Sequence, residues 1–187
     1  MEKPIIFFIG KPGSGKGTQA KLLADITGWK TFTTGGQFRA LSAEDTAVGR
    51  KVKEVNDAGL LQPYWLASYL YLKTLLSVGI DEGIIFDGVG RKLPEAEIVT
   101  ESLKWLGRSN YIFYLHVLDD EVHKRIDLRR EKESRQDDNA VDKRLEEYHA
   151  STEMAIDLYR KTGMLTEIDG QRPPEVIAEE IKRILKL

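Results

Sequence analysis

The stretch GKPGSGKGTQ, Gly10 to Gln19, constrains this chain more tightly than any other. It joins the apolar run IIFFI (Ile5 to Ile9) to a segment of helical period that starts at Lys16, so the chain must leave a buried strand, turn and enter a helix within a few glycine-rich residues. Gly10-x-x-x-x-Gly15-Lys16 in that setting is what a phosphate-cradling loop requires. Glycines let the backbone turn its N–H groups inward around phosphate oxygens, the helix N-terminus adds its positive end, and Lys16 can bridge the terminal phosphates. A glycine-rich turn with a chance lysine is the competing reading, and the strand and helix on either side argue against it.

Beyond this loop, short β-branched and aromatic runs alternate with longer helical stretches. Gly83 to Asp87, Tyr111 to Val117 and Leu165 to Asp169 read with Ile5 to Ile9 as buried strands, and Trp29 to Thr34 as a weaker fifth. The first helix, Lys16 to Thr27, carries Ala20, Leu22, Leu23 and Ile26 as its apolar residues and stops at Gly28. In the last helix, which Pro174 opens, Val176, Ile177, Ile181, Ile184 and Leu185 form a stripe for the core. Such alternation means an α/β fold, a five-stranded parallel sheet with helices on both faces, whose ligands lie beyond the carboxyl ends of the strands. At 187 residues, a single domain covering 1–187 is expected. Two stretches break the rhythm: residues 34–65 carry only helical and loop signals, and residues 129–140 are almost entirely charged. The second reads either as a solvated surface loop or as a flap.

Composition removes several functional classes. A formal net charge of −2 with the signs interspersed gives no global electrostatic case for nucleic acid or an anionic membrane. Without cysteine the chain has no disulfides, no thiolate metal sites and no cysteine nucleophile. His116, His123 and His149 are scattered and make no metal constellation. The apolar run near the N-terminus is far shorter than the roughly 18 residues of a membrane span, and no cleavage-site pattern accompanies it. The expectation is a cytoplasmic monomer with no nucleic-acid or membrane partner.

One departure inside the loop narrows the reading. Gly17 follows Lys16 where a Ser or Thr usually ligates magnesium, and the hydroxyl comes one place later as Thr18. The string Gly10-x-Pro12-Gly13-x-Gly15-Lys16-Gly17-Thr18-Gln19 resembles the adenylate kinase family, a subset of the nucleoside monophosphate kinases. The resemblance runs over nearly the whole chain. TTGGQFRA (Thr33 to Ala40) is similar to the family's Thr-Gly-Asp-x-x-Arg segment, and DAGLLQP (Asp57 to Pro63) to the end of its small acceptor-binding lobe. FDGVGRKLPEAE (Phe86 to Glu97) is similar to Asp-Gly-Phe-Pro-Arg-x-x-x-Gln, and KRLEEYH (Lys143 to His149) to a stretch that carries a phosphate-facing arginine. The resemblance implies a P-loop nucleoside triphosphate hydrolase-like core of three layers, a monophosphate-binding lobe at about 34–65 and a short lid at 129–140. Some relatives have a longer lid with a four-cysteine zinc site, which this chain cannot build, so the implied cofactor is Mg²⁺ with ATP as co-substrate and no zinc.

The same resemblance implies roles. Gly13, Ser14, Gly15, Lys16, Gly17 and Thr18 would bind ATP, with Arg125 stacked on its base. Thr34, Arg39, Gln62, Arg91 and Glu95 would bind the monophosphate. Lys16, Arg91, Arg129, Arg135 and Arg144 would be the catalytic cations, and Asp87 would hold magnesium through water. Moving a phosphoryl group between two polyanions needs rigid positive donors around the transferring oxygens and exclusion of water, and arginine forks supply the donors. Closure of a lid would assemble and dry the site. Asp137 and Asp138 read equally as residues that position the lid and as solvated charges.

Departures from the family pattern gather on the acceptor side: Gly36 stands for its aspartate, Leu60 for a lysine or arginine, Val89-Gly90 for Phe-Pro, and Glu95 for the base-reading glutamine. An ionised carboxylate only accepts hydrogen bonds, so Glu95 suits the N1–H of a 6-oxopurine better than adenine. Two other readings compete, a glutamate that favours the first turn of the helix after Pro94 and a buried, protonated glutamate that still reads adenine. AMP is the default acceptor. The alternatives are a P-loop kinase of a small hydroxyl compound and a nucleotide-binding regulatory domain that has lost transfer.

Overall fold

The structure, a computed structural model, describes residues 2–130 and 141–187. The side chains of Arg129 and Arg130 and all of residues 131–140 lie outside the described residues, and with them the expected lid and the roles of Arg129, Arg135, Asp137 and Asp138. Five strands, β1 (Ile5–Gly10), β2 (Lys30–Thr33), β3 (Ile84–Asp87), β4 (Asn110–His116) and β5 (Leu165–Asp169), form one sheet in the order β2-β3-β1-β4-β5 with every pairing parallel. The helices are α1 (Lys16–Thr27), α2 (Thr34–Ser42), α3 (Ala47–Asp57), α4 (Tyr64–Leu75), α5 (Leu93–Leu106), α6 (Asp119–Arg130), α7 (Val141–Glu147), α8 (Glu153–Lys161) and α9 (Pro174–Leu185). A π-helical turn, Tyr148–Thr152, joins α7 to α8.

Alternate residues of each strand face opposite layers, as a pleated strand requires. Ile5, Phe7, Ile9, Phe86, Ile112 and Tyr114 pack against α4, α5 and α8 through Tyr71, Val99, Leu103, Ile156 and Tyr159. Ile6, Phe8, Ile85, Phe113 and Leu115 pack on the other side against Ala20 and Leu23 of α1 and Ile177 and Ile181 of α9. The expected three-layer α/β fold is therefore present, with its central strand apolar on both faces. Two residues of the expected stripes are exposed: Ile26 is 54% exposed and Val176 48%. Ile26 lies about 60° around its helix from buried Leu23, and Val176 about 100° from buried Ile177.

This topology places the site. From β1 the chain crosses to β2 on one side of the sheet, and from β3 it crosses to β4 on the other, so the carboxyl ends of the neighbours β1 and β3 open a crevice between diverging connections. Gly10 begins the first of these connections, and a Cβ there would stand 2.7 Å from the carbonyl oxygen of Leu115 and 2.9 Å from Ser14 Oγ. Only glycine lets the loop turn this close to β4.

Candidate active site

At the end of β1 the loop folds back over itself. Lys16 Nζ donates to the carbonyls of Gly10 (2.9 Å) and Lys11 (2.6 Å) and lies 3.4 Å from Ser14 Oγ, while the Ser14 N–H donates to the Lys11 carbonyl at 3.2 Å. Gly15, the residue before α1, has φ 96° and no side chain that caps the helix. The first N–H groups of α1 therefore open into the crevice together with the positive end of the helix, the arrangement that holds phosphate. Asp87, the last residue of β3, stands at the same turn: a Cβ on Gly17 would lie 3.4 Å from Asp87 Oδ2. Glycine at this position keeps a side chain away from that carboxylate. Among the described residues no group of three or more acidic or histidine side chains is arranged for a metal, and one carboxylate with phosphate oxygens is how Mg²⁺ is commonly held.

The second half of the site is a cavity of about 490 Å³. It brings together Thr34, Arg39, Gln62, Arg91, Glu95 and Arg144, residues that lie far apart in the sequence. Thr34 and Arg39 come from α2, whose first turn is capped by Thr33 Oγ1 accepting from the Gly36 N–H at 3.1 Å. Arg91 and Glu95 come from the turn after β3 and the start of α5, and Arg144 from α7. Gly88 lines the same cavity, where a Cβ would touch both Thr34 and Arg91 at 3.9 Å. Two buried polar atoms here, Thr34 Oγ1 and Arg91 Nε, have no protein hydrogen-bond partner among the described residues. Burial and the neighbouring Arg144 cation lower the Arg91 pKa to about 10, so the guanidinium stays charged at neutral pH. A cavity walled by these arginines is built for an anion.

The departures from the family pattern can now be read physically. At Gly36 a side chain would strike the Thr33 hydroxyl that caps α2. Gly90 has φ 73°, a conformation other residues rarely adopt, and a Cβ there would collide with the Tyr159 hydroxyl, which donates to the Gly90 carbonyl at 3.3 Å. Tyr159 thus holds the turn that delivers Arg91. Glu95, 6% exposed, accepts the Arg91 N–H on Oε2 at 2.9 Å, and the Lys92 N–H also favours its charged form. As the third residue of α5 it reaches back to the residues before the helix, half of a capping box. Its pKa is raised all the same, because burial outweighs these donors.

Two of the expected residues, Gln62 and Arg125, make protein contacts of their own, and Leu60 stands at the cavity as the departure noted above. Gln62 lines the cavity, but its amide nitrogen donates to the Val52 carbonyl (2.8 Å) and Asn56 Oδ1 (2.9 Å), which ties the end of α3 to the segment before α4. Leu60 also lines the cavity and is partly exposed. Arg125 lies on α6, where its Nε donates to Glu121 Oε1 at 2.7 Å. Sequence reasoning did not single out Lys11, Asn56, Asp119 or Tyr159. Their partners are distant in the chain or fall on no motif; the one local cue was a lysine inside a loop otherwise made of small residues.

Comparison with known proteins gives the same reading. A family model described as adenylate kinase matches residues 8–164. The adenylate kinase of a Synechococcus strain is 35% identical over 187 residues, covering 98% of this chain and 96% of the relative. That of Thermus thermophilus is 35% identical over 183 residues, 96% of each chain. An adenylate kinase of Archaeoglobus fulgidus is 33% identical over 211 aligned positions, covering 97% of each.

Proposed function

The chain belongs to the adenylate kinase family, whose members are ATP-dependent nucleoside monophosphate kinases, and we propose AMP as its acceptor. The observation that carries this reading is the cavity beyond β3, where Thr34, Arg39, Arg91 and Arg144 converge and Thr34 Oγ1 and Arg91 Nε await an anionic partner. The monophosphate's phosphate would take those donors, and the γ-phosphate of ATP would lie across the Gly10–Thr18 loop under Lys16. The two phosphates would then meet near Asp87, which stands beside Gly17 of the loop, and Gly88, which stands beside Thr34 and Arg91 of the cavity. Lys16 would leave the loop carbonyls it now caps and move to the transferring oxygens, with Arg91 and Arg144 on the opposite flank. No covalent intermediate on the protein is required. Magnesium, held through water by Asp87, would neutralise charge on the triphosphate.

AMP is preferred over a 6-oxopurine because the Glu95 carboxylate is already engaged with the Arg91 N–H as a helix cap. A second reading, GMP or IMP, has one observation in its favour: Glu95 is buried and lines the same cavity. Incubation with ATP, Mg²⁺ and each of AMP, GMP, IMP, CMP and UMP, with products resolved by chromatography, separates them. ADP formed fastest with AMP supports the proposal. Faster GDP or IDP formation overturns the choice of acceptor, and absence of any nucleoside diphosphate overturns the whole reading in favour of another hydroxyl acceptor or a binding-only role.

A further inference from the structure

Lys11 is the second residue of the phosphate loop, yet its side chain turns away from the crevice and is almost completely buried, with the whole residue 8% exposed. Its Nζ forms an ion pair with Asp119 Oδ1 at 2.6 Å and lies 5.8 Å from the centre of the Tyr148 ring. Asp119 opens α6, the helix whose Val122 and Ile126 pack against Gly13 of the same loop. The other oxygen of Asp119 is 3.0 Å from His149 Nε2, and His149 Nδ1 is 2.6 Å from Glu153 Oε1. Lys11, Asp119, His149 and Glu153 therefore form a line of alternating charge from the phosphate loop through α6 to the π-helical turn and α8. On its way the line ties the loop to α6, which carries Arg125, and to the turn that directly follows α7, which carries Arg144.

The main chain of Lys11 makes this line matter. The Lys11 carbonyl is the acceptor that both Lys16 Nζ and the Ser14 N–H share. Any shift of Lys11 moves the groups that would hold the triphosphate. His149 is the titratable member, and each of its ring nitrogens faces a carboxylate. A neutral imidazole has one N–H and can donate to only one of them, so both contacts need the imidazolium. The groups facing it are Asp119 of α6 and Glu153 of α8, with the Tyr148 ring edge-on at 5.4 Å and Lys11 beyond Asp119.

We propose that Lys11, Asp119 and protonated His149 are positioning residues for the ATP phosphates, holding the phosphate loop in register with α6 and tightening it while His149 carries its proton. The proposal rests on the assignment of the Gly10–Thr18 loop as the triphosphate site. Both carboxylates raise the His149 pKa above the ordinary imidazole value, Glu153 most strongly. The tightening is therefore fully present below the ordinary imidazole value and is lost as pH rises through the raised one.

ATP affinity measured by calorimetry without acceptor, from pH 6 to pH 9, tests it on the intact chain. His149→Gln cannot titrate, and the ratio of its Kd to that of the wild type cancels the ionisation of ATP itself. The expected ratio is about three- to tenfold at pH 6, falling towards about one as pH rises to 9. Asp119→Asn, which removes the charge from both contacts, should weaken ATP by at least as much, and His123→Gln, which alters the separate His123–Asp142 pair between α6 and α7, should leave both affinity and ratio unchanged. Thermal melts confirm that each variant is folded. A ratio near one throughout, or one that does not change with pH, overturns this proposal alone. No ATP binding by the wild type overturns the triphosphate-site assignment and this proposal with it.

Discussion

The two halves of the site are built differently. On the donor side the binding groups are mostly main chain: glycines in fixed conformations, the uncapped start of α1 and one lysine, all positioned by the end of β1. On the proposed acceptor side they are side chains from α2, the turn after β3, α5 and α7, elements that meet only through the fold. Main-chain sites leave little freedom, because each residue change alters the backbone that does the binding. Side-chain sites can exchange residues when a neighbour compensates. That is where the family departures fall, and three of them have a visible compensation: Thr33 caps the helix at Gly36, Tyr159 fills the space beside Gly90, and Glu95 caps the helix start.

The largest effect should come from the donor side. Lys16→Met removes the only side-chain cation the loop offers to the γ-phosphate, and kcat should fall on the order of 10²- to 10³-fold while the protein keeps its melting temperature. A loss below tenfold would break the contrast between the halves. Next is Arg91→Ala on the acceptor side, for which kcat/KM with the monophosphate should drop about 10²-fold with little change in ATP affinity. An equal loss of ATP affinity would mean that the two halves are not separable.

Smaller effects sharpen the idea of compensation. Gly90→Ala places a Cβ in a strained conformation against Tyr159 and should cost about 1–3 kcal/mol. At roughly 2–4 °C per kcal/mol for a chain of this size, a melting curve will resolve it. An unchanged melting temperature would show that Tyr159 does not hold this turn. The smallest effect concerns the Glu95 carboxyl, whose folded pKa is raised by burial. Such a group favours folding most in acid, and this contribution is lost as pH rises from the ordinary carboxylate value through the folded one. Urea unfolding at several pH values should therefore show the wild type losing stability relative to Glu95→Gln across that window; a constant difference would contradict the raised pKa.

The sheet and the phosphate loop were legible in the sequence because both are written locally. Apolar runs of strand length separated by helical periods specify the layers, and the loop's glycines and lysine stand together in one stretch. Apolar identity alone does not bury Ile26 and Val176, because angular position on the helix decides which residues face the sheet. That Thr34, Arg39, Arg91, Glu95 and Arg144 belong together was legible too, but only as a set of family positions, and the structure places them around one cavity. What those positions do locally was not. Nothing in the sequence says that Tyr159 reaches Gly90, that Gln62 spends its amide on Val52 and Asn56, or that Lys11 finds Asp119, because these contacts join residues whose proximity exists only after the sheet has formed.

The central claim is that the acceptor side has been rebuilt around an unchanged task. Measuring kcat/KM for AMP, GMP and IMP in the wild type and in Glu95→Gln tests it most directly. If Glu95 serves as a helix cap, AMP leads in both proteins and its ratio to GMP moves by less than about tenfold. A wild type that prefers GMP or IMP, with the preference reversed by Glu95→Gln, would show that the carboxylate reads the base and that the task itself has changed.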